Sequence, residues 1–100
     1  MALTTAPSAE KAAEIARALV TEGLAACVNI VPGVRSIYAW KGEIVDDAEA
    51  LCVVKTRADR VEALRARLVA LHPYEVPELV VLDVTGGHEP YLSWVEESSR

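Results

Sequence analysis

His72-Pro73-Tyr74-Glu75-Val76-Pro77-Glu78 is the stretch whose reading settles the second half of the chain. Proline fixes its own φ and drives the residue before it out of the α region, so His72 and Val76 are both biased to extended backbone. A helical pattern runs into the segment: Val61, Leu64, Leu68 and Leu71 recur at helical spacing, and Pro73 ends them. An apolar strand pattern, Leu79-Val80-Val81-Leu82, runs out of it. The heptapeptide is therefore a stiff, non-helical connector carrying His, Tyr and Glu, the kind of loop on which a compact domain places function.

Working outward, Asp59 is expected to begin the second helix, with Glu62 three residues on as a capping-box partner. A strand is expected over 79–85, then Gly86-Gly87, then a short helical or irregular tail containing Tyr91, Leu92, Trp94 and Val95. Towards the N-terminus, residues 2–6 read as a short strand. Ser8 is placed to cap a helix whose apolar positions are Ala12, Ile15, Ala16, Leu19 and Val20, and Gly23 ends it. Residues 24–31 are a nearly continuous apolar strand. Pro32-Gly33 reads as a bulge rather than a reversal, because the strand pattern resumes over 34–41, with Ser36, Tyr38 and Trp40 alternating with Ile37 and Ala39. A turn is expected over 42–47 and a third strand over 49–56.

Strand, helix, strand, strand, helix, strand and a tail make an α+β protein of ferredoxin-like plan, an antiparallel sheet with both helices on one face. Leu51-Cys52-Val53-Val54 and Leu79-Val80-Val81-Leu82 are apolar at successive positions, as in strands buried on both faces. The second face is thus expected to be covered by another subunit, for which a closed trimer is a natural solution.

One hundred residues form a single domain, 1–100. With 52% hydrophobic residues and no Phe, the core must be aliphatic. A net charge of −5 with scattered basic residues argues against nucleic acid. No apolar run reaches membrane-spanning length, and the N-terminus lacks the basic and apolar regions of a signal peptide. Cys27 and Cys52 have no CxxC spacing and read as buried thiols of a cytoplasmic protein.

Thr4-Thr5-Ala6-Pro7, Ala25-Ala26-Cys27-Val28-Asn29, Pro32-Gly33, Tyr38-x-Trp40-x-Gly42, Lys55-Thr56, the heptapeptide and Tyr91-Leu92-Ser93-Trp94 occur in one order and at compatible spacing. Together they resemble the CutA divalent-cation-tolerance family over essentially the whole chain. That resemblance implies a ferredoxin-like subunit in a homotrimer similar in design to the PII signalling proteins, and a link to divalent-metal tolerance with copper binding in some members. It implies no catalytic reaction. PII-like nucleotide binding lacks support, since the hairpin is short and no glycine-rich phosphate loop is present.

In similar metal-binding members, ligands are proposed from a Cys near the Thr-Ala-Pro motif and two histidines before Pro-Tyr. Here Thr4 stands at the nearer cysteine position and Leu71 replaces the first histidine, so only His72 matches, with Cys27 a still weaker soft ligand. One imidazole does not make a tight copper site, so a divalent metal such as copper is expected at most weakly. The acidic group Glu43, Asp46, Asp47 and Glu49 reads as a wet hairpin tip. Lys55 has two readings. It pairs with Glu49 or Glu75 at a subunit interface, or it lines an intersubunit pocket with Tyr38, Trp40, Glu49, His72, Tyr74 and Glu75, suited to a small anionic or zwitterionic ligand. Cys27 or Thr5 with His72 and a carboxylate have no spacing that marks a catalytic set, so no enzyme is expected. The leading function is a metal-tolerance trimer acting by weak copper binding or PII-like signalling. The alternative is a structural or adaptor trimer with a small-anion pocket and no direct metal role.

Overall fold

Local signals resolve into β1 (Ala2–Ala6), α1 (Ala9–Thr21), β2 (Cys27–Trp40), β3 (Glu43–Lys55), α2 (Val61–Leu71), β4 (Val80–Val81) and α3 (Glu89–Ser98), with a 3₁₀ turn over Ala58–Arg60. The structure, a computed structural model, describes residues 1–100. Ser8 caps α1 as expected, its hydroxyl accepting from the Lys11 N–H at 3.1 Å. Beyond α1, Gly23 takes the left-handed φ of +71° that closes a helix C-terminus.

The four strands form one antiparallel sheet in the order β2-β3-β1-β4. This is the ferredoxin-like arrangement, with α1 and α2 packed on one face. Ala2, Ala6, Ala50, Cys52 and Val54 from the sheet meet Ile15, Leu19, Leu64 and Leu68 from the helices in an aliphatic core. Alternation along β3 sends Ala50, Cys52 and Val54 into that core, so Glu49, Leu51 and Val53 point to the open face. That face is not polar: Val31 and Val80 are exposed on it, and Leu51 and Val53 are half-buried.

The bulge read from Pro32-Gly33 is present, and it has a consequence for sidedness. Pairing runs from Cys27↔Lys55 to Val31↔Leu51 and resumes at Val34↔Glu49, three steps on β2 against two on β3. Before the bulge, Asn29 and Val31 share the open face with Val53 and Leu51. After it, Val34, Ser36, Tyr38 and Trp40 share that face with Glu49 and the alternate residues towards the hairpin tip. Gly33 supplies the φ of +75°, and Pro32 costs no ladder bond because β2 is an edge strand.

Several boundaries differ from those expected, each for a physical reason. The turn is only Lys41-Gly42, both at positive φ (+50° and +81°), which matches the strand twist and lets β3 begin at Glu43 rather than after 47. Leu24-Ala25-Ala26 are buried but precede β2. The Asp59 carboxylate is taken by Arg57 (2.9 Å) and that of Glu62 by Arg65, so the expected capping box does not form. The last strand spans two residues instead of seven. Leu82 N–H still reaches the Met1 carbonyl at 2.8 Å, but β1 offers nothing opposite Asp83 onward. The tail is a regular helix, α3, with Val95 buried.

Gly23 also packs: a Cβ there would meet the Arg100 carbonyl oxygen at 2.5 Å. Gly23→Ala is expected to cost about 2 kcal/mol in urea unfolding, from the left-handed backbone plus displacement of Arg100. Deleting Arg100 in that variant should return the steric part and leave about 1 kcal/mol.

Candidate functional site

The connector after α2 is held at three points. His72 N–H closes the helix on the Leu68 carbonyl at 2.9 Å, and its extended φ, ψ (−78°, 138°) turn the chain out of the helix as Pro73 requires. His72 is only 7% exposed. Its Nδ1 accepts from the Tyr74 N–H at 3.1 Å, which leaves the hydrogen on Nε2 to donate to the Thr5 carbonyl at 2.6 Å. Further along, the Glu78 carbonyl accepts from the Thr4 hydroxyl at 2.6 Å.

Tyr74 stacks obliquely on the His72 ring, 4.6 Å between centroids, and its hydroxyl donates to Glu49 Oε2 at 2.6 Å. Burial first, then the bond to Glu49, pushes the phenol well above its usual value. The connector thus overhangs the open face at the base of the β2–β3 hairpin and borders a half-open cavity of about 770 Å³. Its walls are Tyr38 and Trp40 from β2, Glu49 from β3, Thr5 from β1, and Tyr74, Glu75 and Glu78 from the connector, completed by Ser36, Ile37, Pro73, Val76 and Pro77. Tyr38 is itself fixed by donating to Asp47 at 2.9 Å, a bond that raises its phenol.

Five of the expected pocket residues therefore converge: Tyr38, Trp40, Glu49, Tyr74 and Glu75. His72 sits beneath the wall as a support rather than in it. Lys55 is elsewhere: its ammonium hydrogen-bonds Asn29 Oδ1, and six residues of extended β3 place it roughly 20 Å from Glu49. Neither ion pair expected of Lys55 forms; Glu75 is met by Lys41 instead, at 3.6 Å. Within one chain, no Lys, Arg or His lines the cavity while three carboxylates do, so the chain by itself supplies no counter-charge there for an anionic ligand. Glu49 is not part of a wet tip either, at 7% exposed; the tip acids are Asp46, held below the usual carboxylate range by Arg35 (2.7 Å), and its neighbours. Seven lining residues were missed: Ser36 and Ile37 on β2, Pro73, Val76, Pro77 and Glu78 in the connector, and Thr5 on β1. Glu78 lay within the connector already singled out, whereas Thr5 stood in a family motif with nothing to tie it to the pocket.

The donor set does not fit a resident copper or other divalent ion. Both His72 nitrogens are engaged within the chain, Cys27 lies opposite Lys55 at the far end of the ladder, and no three His, Cys, Asp or Glu side chains come together to hold a metal.

Two outcomes test this geometry. Deleting Gly33 removes the extra residue and turns Tyr38 and Trp40 to the other face; the Trp40 indole resonance should then lose its contact with the connector in NOE spectra. Because the raised phenol of Tyr74 stabilises the fold fully below the unfolded value of 10.0 and progressively less above it, native protein should lose stability in alkali, and Tyr74→Phe should flatten that part of the pH profile of urea midpoints.

Comparison with known proteins places this arrangement. The family model described as CutA1 divalent ion tolerance protein matches residues 1–98. The divalent-cation tolerance protein CutA of Thermus thermophilus is 54% identical over 97 residues, covering 97% of this chain and 94% of the relative. The chloroplastic CutA of Arabidopsis thaliana is 45% identical over 96 residues; the chain spans 96% of its own length but 53% of that protein. A solved Thermus thermophilus structure, described as a divalent cation tolerance protein, superposes with a TM-score of 0.96 at 52% identity, covering 99% of this chain and 96% of that one. A Nostoc structure described as a PII-like protein CutA in apo form gives 0.92 at 42% identity, covering 99% and 95%. Motifs, fold and these matches agree: the chain belongs to the CutA1 divalent ion tolerance family.

Proposed function

We propose that the chain works as a homotrimeric, non-enzymatic binding module whose contribution to divalent-ion tolerance runs through a small ligand in the open-face pocket, a PII-like mode of sensing, rather than through tight metal chelation. The observation that carries this reading is the pocket: 770 Å³ walled by three aromatic rings and three carboxylates, within the range of small-molecule sites, in a chain whose donor atoms do not assemble a metal centre. Assembly is supported by the apolar open face and by the exposed segment after β4 that pairs with no strand, both of which a second copy would cover. Both thiols are free, which suits a reducing compartment such as the cytoplasm. One observation favours the adaptor reading as second: the hairpin exposes Ile37 (65%) and Ile44 (76%), which a partner protein could cover.

The mass in solution should be three times the 10.8 kDa of one chain by light scattering. Calorimetric titration of the metal-free assembly with copper should show nothing tighter than about millimolar, the range of incidental sites, and His72→Ala should leave that weak binding unchanged while lowering stability by about 2 kcal/mol through the unpaired Thr5 carbonyl and Tyr74 N–H. Micromolar copper lost in His72→Ala would replace ligand sensing by direct metal sensing.

A further inference from the structure

Glu49 is the one buried carboxylate of the chain whose charge nothing in the chain balances. It is 7% exposed and lines the pocket. Oε2 takes the Tyr74 hydroxyl, Oε1 accepts no hydrogen bond, and none of the ion pairs of the chain includes it. Oε1 keeps a small opening to solvent through the pocket, and a largely buried carboxylate gains from a counter-charge or a further donor placed there. The free oxygen opens into a space bounded by Glu75 and Glu78 and by the rings of Tyr38, Trp40 and Tyr74. Aromatic faces attract cations, and rings beside carboxylates make a cavity that selects positive charge attached to carbon.

We propose that this pocket binds an alkylammonium ion, its N–H groups on Glu49 Oε1 and its carbon chain along the aromatic rings. The proposal rests on the pocket being the functional site and names the ligand class for it. Three further observations narrow the class. The lining holds three carboxylates and no cationic side chain, so its net charge disfavours an anion. A bare metal ion would be far smaller than the 770 Å³ available and finds no three-ligand cluster. At the rim, the chain already seats an ammonium of its own: Lys41 Nζ lies 5.7 Å from the Trp40 ring centroid and 3.6 Å from Glu75. That side chain shows what the aromatic and acidic walls accommodate, and its ion pair is with Glu75, not Glu49.

The test uses three probes of nearly one size on the intact assembly, followed by the Trp40 indole N–H resonance: n-butylammonium, 1-butanol and butyrate. Butylammonium should bind roughly tenfold or more tightly than butanol, which differs from it only in the charged head, and butyrate should not bind. Glu49→Gln keeps an acceptor for Tyr74 and removes the charge, so it should erase the preference for butylammonium. If that variant fails to assemble, Glu75→Gln with Glu78→Gln, both at exposed positions, should cut the preference at least about threefold. The proposal is overturned by butanol binding as well as butylammonium, by butyrate binding best, or by variants that keep the full preference. It is also overturned if a basic side chain of a second copy fills the site, seen as no response to butylammonium together with dissociation of Glu49→Gln. These failures leave the trimer mass and the copper titration untouched, whereas a monomeric mass or micromolar copper binding would sink the broader reading by itself.

Discussion

The pocket depends on a parity constraint in β2. An antiparallel ladder fixes which side chains share a face, and one unmatched residue at Pro32-Gly33 reverses that assignment for everything beyond it. Without the reversal, Tyr38 and Trp40 would lie on the helix side of the sheet plane, and the open face would present Ile37 and Ala39 opposite the connector. With it, two aromatic rings stand beside Glu49 on the face that the His72–Glu78 segment overhangs. The bulge is permitted because β2 is an edge strand, where the missing N–H of Pro32 leaves no partner unsatisfied.

The second element is the connector, which is rigid through its hydrogen bonds as well as its prolines. His72 spends both ring nitrogens on backbone groups, one in β1 and one two residues ahead in its own loop. Tyr74 spans from that loop to β3. The imidazole that most resembled a metal ligand therefore acts as a bracket between helix end and central strand. Its value to the site is the position it gives Tyr74.

Where the sequence could be read, the governing interactions were local. The Ser8 cap, the Gly23 stop, the end of α2 at Pro73 and the bulge itself follow from single residues and their neighbours. Where it could not, competition or register decided. Asp59 was available as a cap, but Arg57 sits two residues away and holds it. The length of β4 is set by how far β1 extends, which no property of 79–85 encodes. Lys55 and Glu49 are close in sequence yet lie along one extended strand, so ladder distance separates what composition had grouped. The family motifs picked out most of the pocket wall, but its sign depended on that separation.

The short β4 leaves a length of chain beyond Leu82 without a partner in the sheet. From Asp83 to His88 the chain is exposed, belongs to no strand or helix, and pairs with no strand of the sheet. It follows Leu79-Val80-Val81-Leu82, and Asp83 is the single charge in the run 79–84. Such an edge is a template for any strand that arrives, whether the correct neighbour or a misregistered copy. Any edge-to-edge pairing of copies therefore draws on this surface and accelerates with concentration, and Asp83 is the one charge within the apolar run that opposes it.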